Sequence, residues 1–358
     1  MSALLDTPHF VPDAPVKDAR IDPILFLLQE REKDIVWFRE HFYGRPHYTY
    51  LTVHSPLGPL IVSLIADPRQ CYRALIRSTS GSVRISLPAS VITLPWWRKR
   101  LGLPATGSTV LAAMTDHLPI KCLRPCGDGR LPKEILRMEE RMVIRCHKFG
   151  IGYLAPGQVT EKEMLSNDLD HCSPGFLSFL SFLGKRIPLQ GWKGYDGGLD
   201  CRSGHTGKES VYTRWKEYEI MLHVAPLLPK TNDSAEQYLG RKRHLGNDIV
   251  LILYQEDPTQ AFRMSTIRSR QNHIICLVCP HPRGYCIRLF RRKEVPPFEP
   301  FLPPHAILER NDLCRDFFFY KLIQGERSSY KTPAFSNKIS RTRRAFLQGL
   351  AERFLESS

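Results

Sequence analysis

The run Arg241-Lys242-Arg243-His244-Leu245-Gly246-Asn247-Asp248 sets three cations, an imidazole, a carboxamide and a carboxylate directly ahead of an apolar stretch at 249–254. A carboxamide both accepts and donates hydrogen bonds, so Asn247 can engage two polar groups at once. His244 and Asn247 are three residues apart and share a face of any helix that persists that far. Gly246 is a favoured helix terminator, so Asn247 could instead stand just past the last turn, where Asn tolerates unusual backbone angles. Either geometry puts the carboxamide on a rim where a helix hands over to a buried strand, and sites tend to be built on such rims. Periodicity alone leaves plainer roles open: a cap or surface ion pair for His244, a turn residue for Asn247.

Other chemistries fail on spacing. The segment Gly204-His205-Thr206-Gly207-Lys208-Glu209 suggests a phosphate-binding loop, but Arg202 and Glu209 stand where a P-loop needs Gly and Ser or Thr. Cys276, Cys279 and His281 have a zinc-like spacing without a second ligand pair, and 274–278 reads as a buried strand. No Gly-x-Ser-x-Gly occurs and the histidines are scattered, so no self-contained hydrolytic site is expected. Glu139-Glu140 reads as a solvated helix face. The basic clusters at 98–100, 241–243, 291–293 and 341–344 read as solvated faces or docking charge, with only Trp96-Trp97 offering a stacking platform for nucleic acid.

The elements that must position the 241–248 run follow from pattern. Strands are expected at 48–53 and 60–65 around a Pro/Gly turn, then at 71–76 and 83–87, with a surface insertion from Trp96 and an apolar-periodic segment near 110–114. Further strand pieces are expected at 142–144 and 150–154, then a helix from Ser173-Pro174 to Gly184. Paired strands at 210–215 and 220–224 precede a basic helix at 235–243. Strands at 274–278 and 285–290 precede two helices near 312–324 and 340–354. At 358 residues the chain has room for two domains, and 42% hydrophobic with 24% charged residues are globular values. No long uncharged apolar stretch can span a bilayer, and the N-terminus lacks a signal-peptide pattern, so the ten cysteines read as reduced thiols in the cytosol. A net charge of +15 calls for an acidic partner, and without a nucleic-acid module that partner is expected to be a protein.

Four ordered blocks resemble the Rap-type GTPase-activating domain: 189–200, 207–212, 219–224 and 241–250. The resemblance extends over 136–356, through Pro296-Pro297-Phe298 and the closing Arg341-Thr342-Arg343 helix. Phe38 to Gly44 and Leu57-Gly58-Pro59 resemble, less closely, the dimerising domain that precedes it in Rap activators and signal-induced proliferation-associated proteins. The family implies that Asn247 is supplied in trans, replacing a water-positioning glutamine that Rap lacks, whereas most Ras-type activators insert an arginine. It implies GTPase binding for His244, Lys242, Arg243 and Arg341, and a Rap-like small GTPase in its GTP form as partner. GTP and magnesium then belong to the partner, so no cofactor is expected on this chain. The implied fold is α/β: a central mixed sheet flanked by helices, G-domain-like without a nucleotide site, beside a strand-rich α+β N-terminal domain. The expected layout is a flexible lead at 1–34, a dimerisation-like domain at 35–135, which would support a homodimer, and the activating domain at 136–356. A binding-only scaffold and a basic nucleic-acid binder are the alternatives.

Overall fold

The computed structural model describes residues 9–13, 36–66, 71–91, 100–101, 105–230, 238–303 and 306–356. The strands are β1 (Phe10–Pro12), β2 (Tyr48–Thr52), β3 (Leu60–Ala66), β4 (Cys71–Ser78), β5 (Gly81–Pro88), β6 (Arg124–Cys126), β7 (Cys146–Leu154), β8 (Lys185–Pro188), β9 (Glu209–Trp215), β10 (Tyr218–Val224), β11 (Val250–Gln255), β12 (Ile274–His281), β13 (Gly284–Arg292) and β14 (Ala306–Glu309). The helices are α1 (Trp37–His41), α2 (Gly107–Met114), α3 (Leu131–Met142), α4 (Glu161–Ser166), α5 (Pro174–Leu183), α6 (Leu239–Gly246), α7 (Asp312–Ser329) and α8 (Pro333–Leu355). They form two units, one from Met1–Gln29 and Ile144–Pro333, the other from Glu30–Val143 and Ala334–Ser358.

The first unit is built on a nine-stranded mixed sheet in the order β1-β13-β12-β11-β7-β10-β9-β8, with β14 also paired to β13. Its centre is parallel, β12, β11, β7 and β10 running side by side. Both faces of that centre are covered, which is why 249–254 reads as an unbroken apolar run rather than an alternation. Val250, Ile252 and Tyr254 enter one core with Phe176 and Phe179 of α5 and Phe317 to Tyr320 of α7. Leu251 and Leu253 enter the opposite core with Met164 and Leu165 of α4 and Leu245 of α6. Strand β7 admits those last two helices by having glycine on their side. A methyl at Gly152 would lie 2.1 Å from Met164 Sδ, and one at Gly150 would lie 3.3 Å from Leu245 Cγ.

The second unit holds the antiparallel sheet β5-β4-β3-β2-β6. Its core joins Leu51, Ile61 and Leu75 to Leu131, Ile135 and Met138 of α3 and to Leu347, Ala351 and Phe354 of α8. The fully buried Arg77 donates to Glu139 and lies with its guanidinium 4.9 Å from the centre of the Phe38 ring.

Several expectations change. Phe10–Pro12, placed in the flexible lead, is an edge strand on β13, and Asp13 after it is buried. The buried Lys321 of α7 holds it there, donating to Asp13 Oδ2 at 2.6 Å and to the Phe298 carbonyl at 2.8 Å. The boundary expected at 135/136 falls inside α3, whose apolar stripe keeps it whole in the second unit. The closing helix, expected in the activating domain, also packs there from Ala334 on, through the stripe Leu347, Ala351 and Phe354. Met142 ends α3 and the 142–144 strand does not form. Glu139 is an ion-pair partner of a buried arginine, not a solvated face. Most of the lead at 1–34, Trp96-Trp97 and residues 98–99 of the first basic cluster lie outside the described residues.

Removing Lys321 leaves the buried Asp13 carboxylate without its nearest cation, and breaking a buried pair costs about 3–5 kcal/mol. Urea unfolding of Lys321→Met is expected to show that loss, and Asp13→Asn combined with Lys321→Met is expected to recover part of it. A single-variant loss under about 1 kcal/mol would show that the N-terminal strand is not anchored by this pair.

Candidate functional site

Helix α6 is pinned at its first turn and at its last. Arg241 is 2% exposed and donates to the carbonyls of Leu228, Leu165 and Asn167 and to the Asp168 carboxylate at 2.6–3.0 Å. It therefore anchors the helix and is not available as docking charge. Lys242 donates to Glu161 Oε2 at 2.6 Å, while Arg243 is exposed. His244 is half-buried, its ring 5.4 Å from that of His223 in an edge-on arrangement.

Asn247 is the C-cap of α6, exposed, with φ −95° and ψ 1°, and its N–H donates to the His244 carbonyl at 3.1 Å. Of the two geometries left open by the sequence, the one just past the last helical turn is found. Its backbone lies in the bridge region and not in the left-handed one, and Gly246 is the last helical residue. Two carbonyls at the helix end and one just past it accept from side chains of the segment before β12. Ser269 Oγ donates to the Gly246 carbonyl, and Asn272 Nδ2 donates to the carbonyls of Leu245 and Asp248 at 2.8 and 2.6 Å.

Beneath Asn247 lies a carboxylate with no solvent exposure. Asp248 Oδ2 accepts from His223 Nδ1 at 2.9 Å, and Oδ1 faces Lys148 Nζ at 3.4 Å. His223 comes from β10 and Lys148 from β7, so the residue after Asn247 is tied to two neighbouring strands. The Gly-rich stretch 194–200 packs over the same place, where a methyl at Gly197 would lie 3.1 Å from His223 Nε2. Burial, followed by the neighbouring His223, holds the His244 imidazole below its ordinary range. Lys148 and Arg243 push the same way and Asp248 opposes them.

The carboxylate of Asp200 occupies the backbone N–H groups of Arg202, Ser203 and His205 at 2.8–3.0 Å, which holds its pKa at about 2. Those donors are spent within the loop, so it shapes a rim and cannot cradle a phosphate. Cys276 and Cys279 are buried on one strand, and their odd spacing turns them to opposite faces. Among the described residues no cluster of three potential metal ligands occurs, and no helix is long and apolar enough to cross a membrane.

Four of the five residues singled out by sequence, Lys242, Arg243, His244 and Asn247, share one helix end. Arg341 stands in the other unit, exposed on α8, where it lines a niche of about 350 Å3 with Thr79, Asn337, Ser340 and Arg344. His223, Lys148, Ser269 and Asn272 were not singled out. Their only signal is polarity at or beside the ends of apolar strands.

Asp248→Ala leaves His223 buried without the acceptor at Nδ1, and chemical unfolding is expected to show a loss of about 2–4 kcal/mol. His244 adds a pH dependence of definite sign. Its native pKa is lowered, so between that value and about 6.5 the unfolded chain binds a proton that the folded chain does not. The stability it contributes is present above about pH 6.5 and is lost as pH falls toward the native pKa. Comparing urea midpoints of wild type and His244→Gln from pH 7.5 down to 5 should show the wild type declining more steeply; parallel curves would refute the shift.

A family model described as Rap/ran-GAP matches residues 164–344, half of the 358 residues. Signal-induced proliferation-associated 1-like protein 2 of Rattus norvegicus is 33% identical over 354 residues, covering 93% of this chain and 20% of that protein. GTPase-activating Rap/Ran-GAP domain-like protein 3 of Danio rerio is 35% identical over 324 residues, covering 88% of this chain and 31% of that protein. Signal-induced proliferation-associated 1-like protein 3 of Homo sapiens is 34% identical over 336 residues, 88% of this chain and 18% of that protein. The chain thus spans between 18% and 31% of the length of these relatives. The solved TSC2 GAP domain aligns with 58% of this chain and 99% of its own at 24% identity and a TM-score of 0.40. By the match of the family model over 164–344, which takes in α6 and Asn247, this chain belongs to the Rap/ran-GAP family.

Proposed function

We propose that this chain is a GTPase activator that accelerates GTP hydrolysis on a Rap-like small GTPase by supplying Asn247 in trans. The observation that carries this reading is an exposed carboxamide whose peptide is fixed from below by the buried Asp248 and from the helix side by Ser269 and Asn272. Family membership supports the reaction class. The Asn247 oxygen accepts a hydrogen bond from the attacking water and its amide donates toward the phosphate. A neutral group adds no charge to the reacting centre, so it acts by orientation. The growing phosphate charge is met by the magnesium ion and lysine that the GTPase brings with its nucleotide. His244 supports the helix and lines the contact. Lys242, Arg243 and Arg341 contribute docking charge, which tunes association rate and salt dependence more than turnover. The second unit is read as the dimerising part.

Single-turnover hydrolysis by GTP-loaded Rap tests this. Asn247→Ala is expected to lower the stimulated rate at saturating activator by at least about 100-fold, with binding of the GTPase changed by no more than about threefold. Stimulation that survives in Asn247→Ala removes the asparagine from the chemistry. Retained binding with no stimulation by the wild type leaves a scaffold.

A further inference from the structure

The segment between β11 and β12 is unassigned by the reading above except for the two residues that brace α6. Its inward side is anchored at four places. Met264 and Ile267 are 2% and 6% exposed in the core beside Leu245. Ser269 donates to the Gly246 carbonyl, and Asn272, 1% exposed, bridges Leu245 and Asp248. Arg292 of β13 then locks the segment's own carbonyls, donating to Ser269 and Asn272 at 2.7 Å each. Between these anchors Arg268 and Arg270 turn outward and are exposed, on either side of the serine bonded to the residue before Asn247.

Two guanidinium groups are thereby held on a braced backbone flanking the carboxamide. No acid is in ion-pair range of either among the described residues. We propose that Arg268 and Arg270 form a second wall of the partner site, engaging carboxylates on the surface of the GTPase whose nucleotide Asn247 reaches. The inference rests on the activator reading. The braces make the wall and the asparagine one body, so a partner seated on the arginines meets Asn247 at a set position. Arg243, exposed in the last turn of α6, adds a third cation close in sequence to Asn247.

The test uses the whole chain and GTP-loaded Rap, with stimulated hydrolysis measured against GTPase concentration at several sodium chloride concentrations. Arg268→Glu with Arg270→Glu is expected to raise KM by about tenfold, leave kcat within about twofold, and flatten the salt dependence of KM. Thermal unfolding should be unchanged, since neither side chain carries a core contact, and Arg268→Lys with Arg270→Lys should restore most of the affinity. Unchanged KM in the glutamate variant, with the wild type stimulating normally, overturns the second wall alone. A fall in kcat at unchanged KM also overturns it, by assigning the segment to bracing only. A wild-type chain that stimulates no hydrolysis overturns the activator reading and this inference with it.

Discussion

The Asp248 carboxylate, with no solvent exposure, constrains everything around the candidate site. A charge in that position is sustained only by partners, and its partners are His223 on β10 and Lys148 on β7. Those strands run parallel to β11 at the centre of the sheet, with β7 between the other two. The junction between α6 and β11 is consequently registered against three strands at once. Asn247 inherits that registration because it is the adjacent residue and its own backbone is held by the helix. The carboxamide faces solvent while its peptide has almost no freedom.

Arg241 completes the picture at the other end of the helix. A guanidinium donating to three carbonyls and one carboxylate is a structural clamp, and the short α6 has no side-chain cap of its own at Tyr238. An isolated helix of that length is marginal in water. The clamp at Arg241 and the side-chain caps at Ser269 and Asn272 supply what propensity does not. Three adjacent basic residues therefore do three different things: Arg241 holds the helix, Lys242 joins it to α4 through Glu161 while staying partly exposed, and Arg243 faces solvent with no ion-pair partner among the described residues.

Local features were legible in the sequence. Ser173 caps α5 as its Ser-Pro start implied, the strand pairs at 209–224 and 274–292 form, and the handover from basic helix to apolar strand falls where the 241–254 pattern put it. What escaped was anything set by sheet order. His223, Lys148 and Asn272 meet Asp248 from separations of 25, 100 and 24 residues, and no periodicity encodes which strands lie side by side. The same limit explains the domain boundary. The apolar stripe of α8 is visible from Leu347, Ala351 and Phe354, but which sheet it covers depends on α3, more than two hundred residues earlier. Arg241 was misjudged for a related reason, since an arginine in a basic run looks solvated until the carbonyls that receive it are known.

Gly150 brings the helix end and the sheet into direct contact. A methyl there would stand 3.0 Å from Leu251 Cδ1, 3.1 Å from Asp248 Oδ2 and 3.3 Å from Leu245 Cγ, so no slack separates β7 from the residues bracketing Asn247. The entropy of fixing the asparagine's backbone is thus lost once, during folding, and not again at each encounter with a partner. Under the proposed function, closing motion during recognition would fall to the bound protein. This side of the contact would then act as a template with a preset reach, and even a small shift of β7 against α6 would misplace the carboxamide rather than weaken binding.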